Sequence, residues 1–169
     1  KEALPSSSLP EAQPDRCMLK LSMGMPDREE EISILQTYAQ GDPLEELQAV
    51  MTKEELLSLK EEAAKVYVHP LVAGYLADIA GATRKQEKIA MGVSPRGTLA
   101  LMRAAKALAC MEGRDYMIPD DVKTLACDVL SHRLVFTYGS GRTEEARGLM
   151  EELLAQVPVP VEDFGKRVQ

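Results

Sequence analysis

Apolar residues recur at helical spacing along most of the chain, and polar or helix-breaking residues mark where each run stops. After Pro26, Asp27-Arg28-Glu29-Glu30-Glu31 places acids in a first turn, Ile32, Leu35 and Tyr38 follow on one face, and Gly41 closes the run. Thr52-Lys53-Glu54-Glu55 has the spacing of a capping box, in which hydroxyl and carboxylate each satisfy a free amide. Leu56, Leu59, Ala63 and Val66 continue that helix. Pro70 opens another, with Val72, Tyr75, Leu76 and Ile79 on one face and an end expected near Gly81.

The second half repeats the pattern. From Thr98 to Met111, Leu101, Met102, Ala105, Leu108 and Ala109 form a buried face, and Gly113 ends the run. Asp115-Tyr116-Met117-Ile118 then leads through Pro119-Asp120-Asp121 into a helix whose core side is Val122, Leu125, Ala126 and Val129. Gly139-Ser140-Gly141 precedes a last helix, Thr143 to Gln156, with Ala146, Leu149, Met150 and Leu153 apolar. Val157-Pro158-Val159-Pro160-Val161 breaks helicity and reads as an extended tail. The pattern predicts an all-α bundle of about five or six helices joined by short turns, with no internal repeat.

The beginning of the chain differs. Its first 14 residues carry Pro5, Ser6-Ser7-Ser8, Pro10 and Pro14 and read as irregular. Cys17 to Ser22 is a short strand-like run, yet a lone strand has no ladder partner and no other confident strand is read in the chain. Three regions are therefore expected: 1–25 as a remnant or linker, 26–157 as a helical domain, and 158–169 as a tail.

Composition narrows the classes. With 169 residues, 45% of them hydrophobic and 28% charged, the chain can bury a core. It has no Trp and two Phe, so that core must come from Leu, Ala, Val, Ile and Met, with the nine Met filling gaps. A net charge of −7 argues against duplex DNA or an anionic membrane as the main partner. Cys17, Cys110 and Cys127 are widely spaced, and His69 and His132 stand apart, so no metal-ligand cluster is read. No apolar run is long enough to cross a bilayer and no secretory leader is read, which makes the cytoplasm the expected compartment.

One stretch carries chemistry. In Gly92-Val93-Ser94-Pro95-Arg96-Gly97, Ser94 is a favoured N-cap and Pro95 suits the first helical position. Arg96 then falls in the first turn, where the helix dipole is positive and a cation is disfavoured. A cation held there makes sense if an anion joins it, and free amides at that helix end would bind the same anion. Gly97 beside it permits close backbone approach. The stretch reads as half of an anion site. Arg103 and Lys106 share a face that is expected to meet solvent. Asp15-Arg16, read by its residue types alone, is a surface ion pair. Neither His has a nucleophile beside it, and no Gly-x-x-x-x-Gly-Lys-Ser/Thr loop occurs, so a self-sufficient hydrolase is not expected.

Several of these segments, in this order, resemble the C-terminal part of MoxR-type AAA+ ATPases. Leu9-Pro10-Glu11-Ala12-Gln13, Asp15-Arg16 and Pro26-Asp27-Arg28-Glu29 resemble the end of that family's ATPase core. Gly92 to Arg96, the helix Leu99 to Leu108, Glu112-Gly113-Arg114-Asp115-Tyr116, Pro119-Asp120-Asp121-Val122 and His132-Arg133-Leu134 resemble its helical lid. The resemblance runs from about Leu9 to Phe164. It implies that Arg96 is a sensor 2 arginine directed at the γ-phosphate of ATP in the same subunit. It also implies that Arg16 is an arginine finger acting on the neighbouring subunit of a ring. On this reading the chain is a lid fragment lacking the Walker A and B core. ATP and Mg belong to the full-length parent, and tight binding to the fragment is not expected. The partners implied are the core of the same chain, neighbouring subunits and a client protein that is remodelled or assembled. The contrasting readings are an all-α module that binds a partner and no nucleotide, and a helical nucleic-acid binder, which the acidic charge disfavours.

Overall fold

A computed structural model describes residues 14–138 and 143–167. Leu9 to Gln13 and the Gly139-Ser140-Gly141 turn lie outside the described residues. The described chain forms two compact units, one of residues 21–59 and one of residues 14–20 together with 60–167.

Residues 21–59 are governed by local signals. Helix α1 spans Arg28–Gln40, and the Asp27 carboxylate accepts from the amides of Glu29 and Glu30, both at 2.9 Å, while the Glu30 carboxylate accepts from the Asp27 amide at 3.0 Å. Helix α2 spans Lys53–Lys65 and opens on the expected capping box: Thr52 Oγ1 accepts from the Glu55 amide at 3.2 Å and Glu55 accepts from the Thr52 amide at 2.6 Å. The bond from the Thr52 amide, with a second that the Thr52 hydroxyl donates to the same carboxylate at 2.9 Å, holds the Glu55 carboxyl below its usual range. The expected apolar stripe of α1 is not buried, however: Ile32, Leu35 and Tyr38 are all exposed. Caps act within a few residues, whereas burying a stripe needs a second layer, and so short a piece cannot close a core by itself.

The core lies in the other unit. Helices α3 (Pro70–Lys85), α4 (Pro95–Met111), α5 (Pro119–Leu130) and α6 (Thr143–Gln156) pack together, with α4 against α5 as the most extensive pairing. Val72, Tyr75, Leu76 and Ile79 of α3, Leu101, Ala105 and Ala109 of α4, and Val122, Ala126 and Val129 of α5 are buried. So are Ala146, Leu149, Met150 and Leu153 of α6. The chain is all-α in class, as its periodicity predicts.

Three expectations are corrected. Helix α3 does not stop near Gly81 but runs one turn further to Lys85, because Thr83 is fully buried and holds the chain that follows. Cys17 to Ser22 forms no strand; its backbone is tied to α5 and to the turn after it, the Lys20 amide donating to the Asp128 carbonyl at 2.9 Å. The strands that do occur were not read from the sequence: β1 (Ile89–Met91) and β2 (Val135–Phe136) form an antiparallel pair. Each is too short to show a period.

After α6 the described chain has no further helix or strand, but it is not free. Val157 is buried, the Phe164 ring meets His69 edge-on at 5.8 Å, and the Arg167 guanidinium lies 5.8 Å from the Tyr67 ring centre. His69 is buried because it caps α3, its Nδ1 accepting from the Leu71 amide at 3.2 Å.

Candidate functional site

The stretch 92–97 is built almost entirely by structural demands. Gly92 lies against the last turn of α3, where an added Cβ would come within 2.8 Å of the Arg84 amide nitrogen and of Thr83 Oγ1. Val93 is fully buried, its amide donating to Thr83 Oγ1 at 3.0 Å and its carbonyl accepting from Arg84 Nε at 2.9 Å. Thr83 Oγ1 in turn donates to the Ala80 carbonyl at 2.7 Å. Ser94 caps α4 as expected, its hydroxyl accepting from the Gly97 amide at 3.2 Å, and Pro95 occupies the first helical position. An added Cβ on Gly97 would meet Val93 Cγ1 at 2.9 Å and Arg133 Cδ at 3.0 Å. The close approach that Gly97 permits is therefore made by a side chain of the protein itself.

Arg96 is the exception. It is exposed, and among the described residues its guanidinium has no hydrogen bond, ion pair or ring contact. The amides around it are mostly used. Pro95 has none, Gly97 donates to Ser94 Oγ, and Thr98 donates to the Ser94 carbonyl at 3.1 Å. The expectation of several free amides reduces to one, that of Arg96 itself. Of the other expected basic residues, Arg103 faces solvent, while Lys106 Nζ donates to the Ala64 carbonyl at 2.5 Å and ties α2 to α4.

Asp15 and Arg16 lie in a 3₁₀ turn, Pro14–Arg16. The surface ion pair expected between neighbours is not what forms. Asp15 pairs instead with Arg133, Oδ1 to Nη1 at 2.7 Å, and the Arg133 side chain is only 2% exposed. Asp15 also accepts from the Ser94 hydroxyl at 3.2 Å. An acid thus sits at the positive end of α4, where the helix dipole favours it. Part of the anion site inferred at this helix end is filled from within the chain. Arg16 is exposed and, among the described residues, has no partner.

Arg133 was legible only as a member of the His132-Arg133-Leu134 motif, since its partners are distant in sequence. It donates to the Val129 carbonyl at 2.8 Å, to the Cys17 carbonyl at 2.6 Å and to the Asp15 carbonyl and carboxylate. Beside it, His132 Nε2 lies 3.1 Å from the Cys17 carbonyl, so this nitrogen carries the proton. Burial pushes the His132 pKa down, against the opposing effect of that carbonyl.

A second ion pair fixes the entry to α5. Arg114 donates both terminal nitrogens to Asp121, at 2.8 and 2.5 Å, and Asp121 also accepts from the Ile118 amide at 2.8 Å. The Asp121 carboxylate raises the Arg114 pKa further. Arg114 also donates to the Tyr116 carbonyl at 3.2 Å, and the pair holds the turn. Among the described residues no group of three or more His, Cys, Asp or Glu could hold a metal ion. No described helix is long and apolar enough to cross a membrane.

Four packed helices and, at a capped helix start, an exposed arginine without a partner are thus in place. Residues 81–153 match the AAA lid domain. Over 156 residues the chain is 38% identical to the Bacillus subtilis protein YeaC, covering 91% of this chain and 48% of that one. It is 41% identical over 139 residues to chaperone MoxR1 of Mycobacterium tuberculosis, covering 77% of this chain and 36% of that relative. A crystal structure from Cytophaga hutchinsonii, of a candidate ATPase, superposes with a TM-score of 0.79 at 29% identity, over 91% of this chain and 50% of that one. The chain belongs to the MoxR-type AAA+ proteins, and its residues 81–153 are an AAA lid domain. It spans about half the length, or less, of these relatives.

Proposed function

We propose that this lid serves a MoxR-type ATPase by directing Arg96 at the terminal phosphate of ATP held by the ATPase core of the same protein. The observation that carries the proposal is the division of labour in 92–97. Gly92, Val93, Ser94, Pro95 and Gly97 have structural tasks, and they fix the helix start from which an unpartnered Arg96 projects. Its guanidinium and its own amide suit a phosphate oxygen, and among the described residues no other group at this helix end is free to grip the nucleotide. The rest of the ATP and its Mg would be held outside these residues. Bound there, Mg-ATP supplies the phosphoryl group, and Arg96 contributes positive charge where negative charge develops.

Arg16, exposed and equally unpartnered, is proposed to complete the site of a neighbouring subunit in a ring. Lid movement would then drive chaperone-like remodelling or assembly of a client. The Mycobacterium tuberculosis relative is designated a chaperone, which supports this part of the reading. A partner-binding module without nucleotide chemistry is the second reading, favoured by the exposed Leu21, Met23, Met25 and Val50.

Arg96→Ala in the full-length ATPase tests the leading reading. Steady-state turnover should fall by about tenfold or more, at unchanged melting temperature, since a charge acting on the transferring group is lost. Wild-type turnover in that variant rejects the assignment and leaves the second reading.

A further inference from the structure

Arg133 touches neither proposed phosphate contact, yet all its hydrogen bonds but the one to Val129 reach a segment more than 110 residues away in sequence. We propose that Arg133 is a positioning residue that clasps the Asp15–Cys17 segment to the N-cap of α4, so that Arg16 and Arg96 are carried by one rigid unit. The inference rests on the reading of Arg16 and Arg96 given above.

The bonds bracket Arg16. The Arg133 guanidinium takes the carbonyl of Asp15 on one side of it and the carbonyl of Cys17, at 2.6 Å, on the other. The backbone that carries Arg16 is pinned at both ends, while its side chain stays exposed. Asp15 extends the clasp, since its carboxylate meets Arg133 Nη1 at 2.7 Å and the Ser94 hydroxyl at 3.2 Å, two residues before Arg96. Gly97 leaves room for the arginine stem to pass, with its missing Cβ 3.0 Å from Arg133 Cδ.

Charge gives a second reason. Asp15 is the acid adjacent to Arg16 and is bonded to the cap that precedes Arg96, so left alone it would attract either arginine. Paired with Arg133 it is neutralised, and both arginines stay available to an external anion. Lysine could not substitute, because the clasp uses the planar five-donor geometry of a guanidinium in several directions at once. The consequence is mechanical. A lid that moves when Arg96 meets a phosphate in its own subunit carries Arg16, proposed to face the next subunit, along with it.

The test uses the full-length ATPase and three variants, Arg133→Gln, Arg133→Lys and Asp15→Asn. Each should lower kcat by about tenfold while the KM for ATP moves less than about threefold. In an Arg16→Ala background, adding Arg133→Gln should cost less than about twofold more, because the residue it positions is gone. Unchanged kcat, or a full multiplicative loss in that background, overturns the proposal. A second measurement separates it from the reading on which it rests. In the present chain, Arg133→Lys and Asp15→Asn should speed hydrogen exchange at the Lys20 amide by about tenfold, with the amides of α3 and α4 unaffected. Unchanged exchange shows that there is no clasp. Turnover indifferent to both Arg16→Ala and Arg96→Ala overturns the functional reading, and with it the purpose assigned to Arg133.

Discussion

Gly97 shows how one residue type can be read correctly for an incomplete reason. A glycine beside a candidate anion-binding arginine signals close approach by something, and Arg133 is what approaches. Gly97→Ala is expected to destabilise the chain by about 1–3 kcal/mol, because the new methyl meets Val93 Cγ1 at 2.9 Å and a buried arginine stem. Gly81→Ala, inside α3 with open space around the new Cβ, is expected to stabilise it by about 0.5–1 kcal/mol. Urea titrations of both variants check the pair, and a Gly97→Ala midpoint at or above wild type contradicts the packing argument. The same residue scale explains why the role of Arg96 was legible and that of Arg133, beyond its motif, was not. Arg96 is anomalous within its own helix turn, whereas Arg133 becomes meaningful only once residues over 110 positions away are brought beside it.

Among the elements, the turn Ser131–Arg133 between α5 and β2 receives the Asp15–Cys17 segment. His132 makes that reception sensitive to acid. Burial holds its pKa in the folded chain below the ordinary 6.5, with the nearby Arg133 and Lys20 charges adding to the effect. The unfolded chain therefore takes up a proton below about pH 6.5 that the folded chain resists, so the contribution of His132 to stability is constant above that pH and declines below it. Melting curves at about pH 7.5 and 5.5 should show a larger acid loss for wild type than for His132→Gln. Equal losses reject the linkage. The elements also mark the limit of periodicity. A capping box located α2 and first-turn acids located α1, because such signals are settled within four residues. The β1–β2 pair escaped notice because its two short strands lie more than 40 residues apart and signal only by pairing.

For the molecule as a whole, one arginine does not make a nucleotide pocket. The purified chain is expected to show no ATP turnover above background in a coupled assay, and sustained hydrolysis would contradict the division of labour between lid and core. The sequence by itself determined an all-α bundle of about five or six helices, the apolar faces of α3 to α6, the cap at Ser94 and the odd placement of Arg96. These rest on spacing and on interactions within one or two turns, which the chain encodes wherever it sits. Only the tertiary structure decided that Asp15 is the acid at the start of α4, that Arg133 is buried against it, and that the α1 stripe stays exposed. Those outcomes depend on which distant groups meet. A buried ion pair is worth its desolvation only when its partners arrive with the right geometry, and no local pattern reports that.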